Sequence, residues 1–504
     1  MPNFVTVNRE QRMLLPPDLR EWVREDDLVH FVIEAVEGME LGGFCVNERG
    51  TGSEQYPPHM MLALLIYCYA NGIFSSRRIE AASWRDIAVR YLTADTHPDH
   101  DTICKFRREN FEAVAQCFVG VLELARELKL LKVGVISVDG TKLDAAASKH
   151  RNVTYERAGE LIAQLEGEVR ELLQKAEAAD VAEEQDPGKL PQEIARREKL
   201  KAKLEQARKE LEERARRRAE SERADYERKV AEREARQGSA KGRIIPPPDP
   251  TPKAEAQINL SDADSGLMRR SKAAEYRQAY NPQAAVDAEG SQLVLGARVS
   301  QCASDANELV ADVRSVPPGL GKIQAALADS GFANGAAVAE LEQAGVEVYV
   351  SIGAEAAMMR RKHDFRPAHR RREKIGIEPK TPWKIAMKAR LETEQGRCMY
   401  ARRKSTVEPV FGIIKEAMGF RRFLLRGIKK VEGEWTLVAL AYNFRRLWKL
   451  KAEFPARRPD SPGAGSMWAR AGSTLVNVLL RRFQSILRRE FENLPSLIPS
   501  PTSS

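Results

Sequence analysis

Apolar and polar positions follow two rhythms along the chain, and the change between them divides it. From residue 28 to about residue 130 the apolar positions recur at helical spacing. A short amphipathic helix is predicted around Leu28 to Glu37, ended by Gly38. "PPHMMLALLIYCYANG" then reads as an apolar helix, with proline at its start and glycine at its end. "SSRRIEAASWRDIAVRYL" follows, serine-capped, with Ile79, Trp84, Ile87 and Tyr91 available for packing. "HPDHDTICKFRRENFEAVAQCFVGVLELARELKL" predicts a turn and one long amphipathic helix.

At Lys132 the rhythm becomes that of strands. "KVGVISVDG" is β-branched and apolar and is ended by Asp139-Gly140. The pattern resumes after Tyr276, where "YNPQAAVDAEGSQLVLGARVSQ" predicts a hairpin around Ala288-Glu289-Gly290. Next come a helix in "DANELVADVRSV", a fourth strand ending in Asp329, a helix in "AAVAELEQAG" and a fifth strand in "VEVYVSI". Between the first strand and the hairpin lies a stretch of another kind. From Pro191 to Gln237, 28 of 47 residues are charged, 16 basic and 12 acidic, and leucines are sparse. This predicts a solvated helix or helical hairpin, closed by "IIPPPDPTP". Residues about 150–255 therefore read as an insertion without a core of its own.

"KSTVEPVFGIIKEAMGFRRF" carries an apolar helical face of Val407, Phe411, Ile414 and Met418, with Gly419 as C-cap. Lys404, Glu408 and Lys415 share a different side. Pro409 lacks an amide hydrogen and disfavours helix at Glu408. The helix therefore either starts near Ser405 or Thr406 or runs through with a kink. Taken alone, Glu408 is a surface partner of Lys404, and Glu416 is a plain surface residue. A last core helix is predicted in "GEWTLVALAYNFRRLWKL", then a linker over Pro455 to Ser466 and an amphipathic helix around Thr474 to Phe491.

Charge sharpens the picture. The 504-residue chain carries a net charge of +9, which suits an anionic partner such as nucleic acid. The excess is local: Arg360 to Lys404 holds 16 basic and 5 acidic residues. Arg77, Arg78, Lys105, Arg107 and Arg108 cluster near helix starts, as in a helix-turn-helix-like DNA-binding module, although a plain helical bundle fits equally well. Six cysteines are scattered without a CxxC pair, the habit of a reduced, cytosolic chain. His97, His100 and Cys104 read as loop and helix-start residues, not as a metal set. No apolar run reaches spanning length and no signal peptide is recognisable, so no membrane partner is expected.

With the insertion set aside, the order is strand, hairpin, helix, strand, helix, strand, helix. That is the order of a ribonuclease-H-like α/β fold: a mixed five-stranded sheet with flanking helices, here preceded by an all-α part and interrupted by the long charged helical insertion. In that arrangement Asp139 and Asp329 end neighbouring strands, and the next helix brings Glu408 alongside. Either aspartate alone is an ordinary turn residue. Three converging carboxylates repel one another and call for a cation. All-oxygen ligation suits Mg²⁺ or Mn²⁺, and two such ions about 3.5–4 Å apart serve phosphodiester chemistry.

These segments resemble bacterial insertion-sequence transposases of the Asp-Asp-Glu type over most of residues 40–450. The likeness rests on "SSRRIE" and "PDHDTICKFRREN", then on "VDGTKLDAAAS", "YNPQAAVD", "ADSGF", "STVEPVFGIIKEAMGFRRFLLRG" and "GEWTLVALAYNFRRL". It implies Asp139, Asp329 and Glu408 as catalytic, metal-holding residues with two Mg²⁺ (or Mn²⁺) ions. It also implies Arg403, Lys404 and Lys415 beside DNA phosphates. Tyr400, Arg403, Glu408 and Lys415 approach a spaced Tyr-Arg-Glu-Lys set found in related families, with the arginine-to-glutamate gap one residue longer. The resemblance further implies a helical DNA-end-binding domain over 1–130, a catalytic domain over 131–450 and a tail over 451–504. Its implied partners are terminal inverted repeats, target DNA and at least one further copy of the chain on DNA, in the bacterial cytoplasm at the nucleoid. Two other readings stay open: a ribonuclease-H-like nuclease that hydrolyses without joining, and a DNA-binding protein with a dead site.

Overall fold

The structure, a computed structural model, describes residues 18–39, 41–46, 54–181, 190–235, 246–269, 273–352, 379 and 381–453. The expected linker over 455–466, the amphipathic helix over 474–491, and residues 360–378 and 380 of the basic tract lie outside them.

The helical part begins with α1 (Leu28–Glu37), whose N-cap Asp27 accepts the Val29 N–H at 2.8 Å. α2 (Pro58–Ala70) is buried from Met61 onward. The two further helical stretches of the sequence each break in two. α3 (Ser76–Arg85) and α4 (Ile87–Leu92) part at Asp86, whose carboxylate takes the N–H groups of Ala88 and Val89. α5 (His100–Glu109) and α6 (Phe111–Glu127) part at Asn110, which accepts the Cys45 N–H and donates to the Phe106 carbonyl, both at 2.7 Å. At both breaks a short polar side chain competes with the helical backbone and wins. Trp84 and Ile87, expected to pack, flank the first break and are 60% and 42% exposed. Trp84 instead stacks on His97. His100 opens α5 and bonds the Glu80 carboxylate at 2.8 Å.

The strands are β1 (Val135–Gly140), β2 (Leu143–Asp144), β3 (Asn152–Thr154), β4 (Gln257–Asn259), β5 (Gly266–Met268), β6 (Arg277–Asp287), β7 (Val294–Ser300), β8 (Ala325–Ala328) and β9 (Glu347–Val350). β1, β8 and β9 are parallel neighbours; β6 runs antiparallel to β1, and β7 antiparallel to β6. The mixed open sheet has seven strands, because β2 and β5 add to the first part of β6. Helices α9 (Leu309–Arg314) and α10 (Gly335–Gln343) belong to the crossovers around β8. α11 (Pro382–Glu392), α12 (Glu394–Ala401) and α13 (Val407–Gly412) follow β9.

The last described helix, α14 (Ile428–Glu453), packs against α2 and α6 on one side and β7 on the other. Trp435, Tyr442 and Phe444 on it are fully buried. Trp435 donates its indole N–H to the Gln283 carbonyl at 2.9 Å, and the Asn443 amide bonds both backbone groups of Val294. One apolar core thus runs from Val23 to Leu447, joining the helical part to the sheet across residue 130.

The insertion is a helical hairpin of α7 (Tyr155–Val181) and α8 (Leu190–Ala235), closed at its base by the β3–β4 pair. The expectation that it lacks a core is corrected. Ala158 and Leu165 of α7 meet Leu204, Ala207 and Leu211 of α8, with Val153 and Ile258 beneath them. A narrow seam at spacings of three, four and seven suffices where two helices pack only on each other. This cluster is separate from the main core. Thr154 pairs with Gln257, so the chain ends left by removing 155–255 lie side by side. Replacing that span by a short Gly-Ser turn is expected to leave one cooperative unfolding transition, its midpoint shifted by less than about 5 °C. The Arg214–Asp264 pair lost in the process (3.2 Å) is partly exposed and worth under about 1 kcal/mol. A broad transition or aggregation in thermal melts would show that the hairpin supports the main core.

Candidate active site

The parallel pairing of β1 and β8 decides where two of the acids lie. Asp139 is the penultimate residue of β1 and Asp329 immediately follows β8, so both stand at the same edge of the sheet. Each is fixed by one oxygen: Asp139 Oδ1 accepts the Gly140 N–H at 2.9 Å, and Asp329 Oδ1 accepts the Gly331 N–H at 2.6 Å. The other oxygen of each faces Arg403, in the turn that precedes α13.

α13 starts after Thr406, and Glu408 lies in its first turn. This resolves the question of Pro409 in favour of a helix start. Pro409 is the third helical residue, where a backbone N–H has no acceptor within the helix, so its absence costs no hydrogen bond. Beyond Gly412 the helix widens into a π turn over Ile413–Ala417, and Gly419, with φ +77°, ends it. Val407, Phe411, Ile414 and Met418 are buried as expected and seat the helix against β1 and β6.

One side chain reaches all three acids. Arg403 lies in the 3₁₀ turn Arg402–Ser405 that leads into α13. Its Nη1 is 2.9 Å from Glu408 Oε1, and its Nη2 is 3.2 Å from Asp139 Oδ2 and 3.8 Å from Asp329 Oδ2. The Arg403 side chain is 10% exposed and that of Glu408 50%. Burial pushes the Asp139 carboxyl up to about 6; the Arg403 charge opposes the rise, and the neighbouring Asp329 and Asp305 charges add to it. Glu408 is therefore joined to Arg403, not to Lys404. Glu416 is exposed and pairs with Arg421.

A second polar group adjoins the acids. Asp305 accepts the side-chain amides of Asn281 (2.6 Å) and Gln283 (2.9 Å) and pairs with Lys142 at 3.3 Å. Lys415, partly buried, donates to the Thr141 hydroxyl. Asp305 escapes a reading of the sequence because it lies in a loop between β7 and α9, with no periodicity to mark it.

The basic residues divide. Arg77, Arg78, Lys105, Arg108 and Lys404 are exposed. Arg107 and Arg403 are not presented to the surface: Arg403 is held by the acids, and Arg107 lies in the core, which corrects its expected place beside phosphates. Arg107 is 4% exposed and donates to the Tyr69 hydroxyl (2.8 Å) and the Phe74 carbonyl (3.2 Å). It lies four residues after the buried Ile103, on the inward face of α5.

Residues 359–448, which hold Arg403, Glu408 and Lys415, match the family "Transposase DDE domain". Residues 17–109, covering α1 to α5, match "Transposase domain (DUF772)". In these two spans the chain resembles insertion-sequence transposases of the Asp-Asp-Glu type. Asp139 and Asp329 lie outside both matched spans. No curated protein and no solved structure matches the chain. No described helix is long and apolar enough to cross a membrane.

The donor set bears on the expected metal. Asp139, Asp329 and Glu408 each turn a carboxylate oxygen to the Arg403 guanidinium, and hard oxygen donors of this kind suit Mg²⁺ or Mn²⁺. Among the described residues no three His, Cys, Asp or Glu side chains stand, as placed, in a group that could hold an ion.

Proposed function

We propose that the chain is a DNA transposase that binds the terminal inverted repeats of an insertion sequence, cleaves at their ends and joins them to target DNA. The observation that carries this is that Asp139, Asp329 and Glu408 share one partner, the Arg403 guanidinium, at one end of the sheet, in a chain with two transposase-domain matches. The run β7-β6-β1-β8-β9, with its two antiparallel and two parallel pairings, supports a ribonuclease-H-like core.

In this reading Asp139, Asp329 and Glu408 would hold two Mg²⁺ or Mn²⁺ ions. Such ions, when bound, activate a water or 3′-hydroxyl and stabilise the leaving oxygen of a phosphodiester. The chain's own residues set the geometry around them. The sheet edge holds the two aspartates rigidly, and the first turn of α13 directs Glu408 toward them. Lys404 and Lys415 would offer charge to DNA phosphates, with Lys415 held by the hydroxyl of Thr141, two residues after Asp139. Synapsis of two ends calls for at least a dimer on DNA, in the bacterial cytoplasm at the nucleoid.

Incubating the full chain with Mg²⁺ and a duplex ending in the 3′-hydroxyl of the element's inverted repeat tests this reading. Joined products are expected; cleavage without joining would mark a nuclease, and binding without cleavage a dead site.

End binding is assigned to the exposed cations of α3 and α5. Arg77, Arg78, Lys105 or Arg108 replaced by alanine should weaken binding to inverted-repeat DNA. Each lost phosphate contact should also flatten the plot of log affinity against log salt by about 0.9. Gel-shift titrations across a salt series measure both, and an unchanged slope would remove the residue from the interface.

A further inference from the structure

The acid cluster already has a cation, and that cation belongs to the chain. Arg403 bonds Glu408 and Asp139 and stands 3.8 Å from Asp329, using both terminal nitrogens of its guanidinium. A divalent ion held by the same oxygens would occupy the space of the guanidinium and be repelled by it. The two therefore exclude each other.

The hold of Arg403 is incomplete in two ways. Its Nε is buried without a hydrogen-bond partner, an unmet cost of the present position. One guanidinium also leaves the three carboxylates two charges short of neutrality. Arg403 lies in a four-residue 3₁₀ turn between α12 and α13, flanked by the exposed Arg402 and Lys404. A phosphate drawn to those two cations arrives beside the one residue that blocks the acids, and a guanidinium suits phosphate as well as carboxylate.

We infer that Arg403 is a stand-in cation that closes the acid cluster to divalent ions in the absence of DNA and is drawn off it by a DNA phosphate. This rests on the proposal that Asp139, Asp329 and Glu408 hold metal. It makes DNA binding and metal binding partners in one equilibrium: each tightens the other by the same factor. Arg403 is then a gating residue, which places the cluster in a closed or an open state.

Mn²⁺ titration of the full chain tests this, with free Mn²⁺ read from its electron paramagnetic resonance signal, and with and without a duplex whose own Mn²⁺ binding is subtracted. A control carrying Asp139→Asn, Asp329→Asn and Glu408→Gln defines binding elsewhere on the chain. If Arg403 blocks the site at least nine-tenths of the time, Arg403→Gln should bind Mn²⁺ at least about tenfold more tightly than the wild type without DNA. The duplex should tighten Mn²⁺ binding by the wild type and add little in the variant. Arg403→Lys keeps the charge but not the fork, so its affinity should fall between the two. It serves as the deciding variant if Arg403→Gln fails to fold. Mn²⁺ binding by the folded variant no tighter than by the wild type would overturn the inference, because a purely structural arginine leaves metal affinity unchanged or lowers it. If neither wild type nor variant, with or without DNA, binds Mn²⁺ beyond the triple-acid control, the metal reading itself fails and the inference falls with it.

Discussion

Asp139→Asn, Asp329→Asn and Glu408→Gln are each expected to lower Mg²⁺-dependent cleavage of inverted-repeat DNA by more than about a hundredfold. That exceeds the 10–100-fold typical of losing a residue that merely supports a metal ligand. The substitutions keep side-chain shape and remove one charge, so they separate electrostatics from packing. Affinity for the same duplex should stay within about threefold, because phosphate contacts elsewhere carry it. It should move toward tighter binding, since a carboxylate facing phosphate without metal repels it. Stability should also survive at position 139. Asp139 is partly buried and its carboxyl is already pushed up to about 6, so a neutral amide suits the site. Cleavage and binding measured in parallel on each variant decide the matter. Wild-type cleavage by Glu408→Gln would reduce that glutamate to a partner of Arg403.

The parts of this arrangement that were legible in the sequence are those with a local cause. β1, the β6–β7 hairpin, β8 and β9 are apolar runs bounded by turn residues, and their order alone placed Asp139 and Asp329 at adjacent strand ends. β2 and β5 are too short to show any alternation. The helix breaks at Asp86 and Asn110 sit inside sound helical periodicity; only the capping bonds of those side chains reveal them. The charge of Arg403 is visible in sequence and suggests a place beside phosphates, whereas its bond to Asp139 spans 264 residues. Arg107 did leave a signal. Ile103 and Arg107 are one helical step apart, so the phase of α5 turned Arg107 inward while its charge suggested the surface.

Arg107→Ala is accordingly expected to act on stability and not on DNA. The guanidinium bonds the Tyr69 hydroxyl and the Phe74 carbonyl inside the core, near the buried Glu434 of α14. Glu434 accepts the backbone N–H groups of Leu424 and Leu425 at 3.0 and 3.1 Å, and its second oxygen has no partner. Removing Arg107 strands the Phe74 carbonyl and takes away the cation near a buried carboxyl, a loss of about 3 kcal/mol. The loss should depend on pH. Burial pushes the Glu434 carboxyl up from its usual 4.5 to about 7, and the Arg107 charge restrains the rise. Between those values the unfolded chain has released the proton and the fold has not, so stability declines by about 1.4 kcal/mol per pH unit and levels off above 7. Without Arg107 the carboxyl stays neutral to higher pH and the decline continues past 7. The variant should therefore be further below wild type at pH 8 than at pH 6 in urea melts, and adding Glu434→Gln should remove that difference. At matched folded fraction, its DNA affinity and salt slope should equal those of the wild type, unlike Arg108→Ala. A variant as stable as wild type that binds DNA weakly with a flattened slope would return Arg107 to the surface.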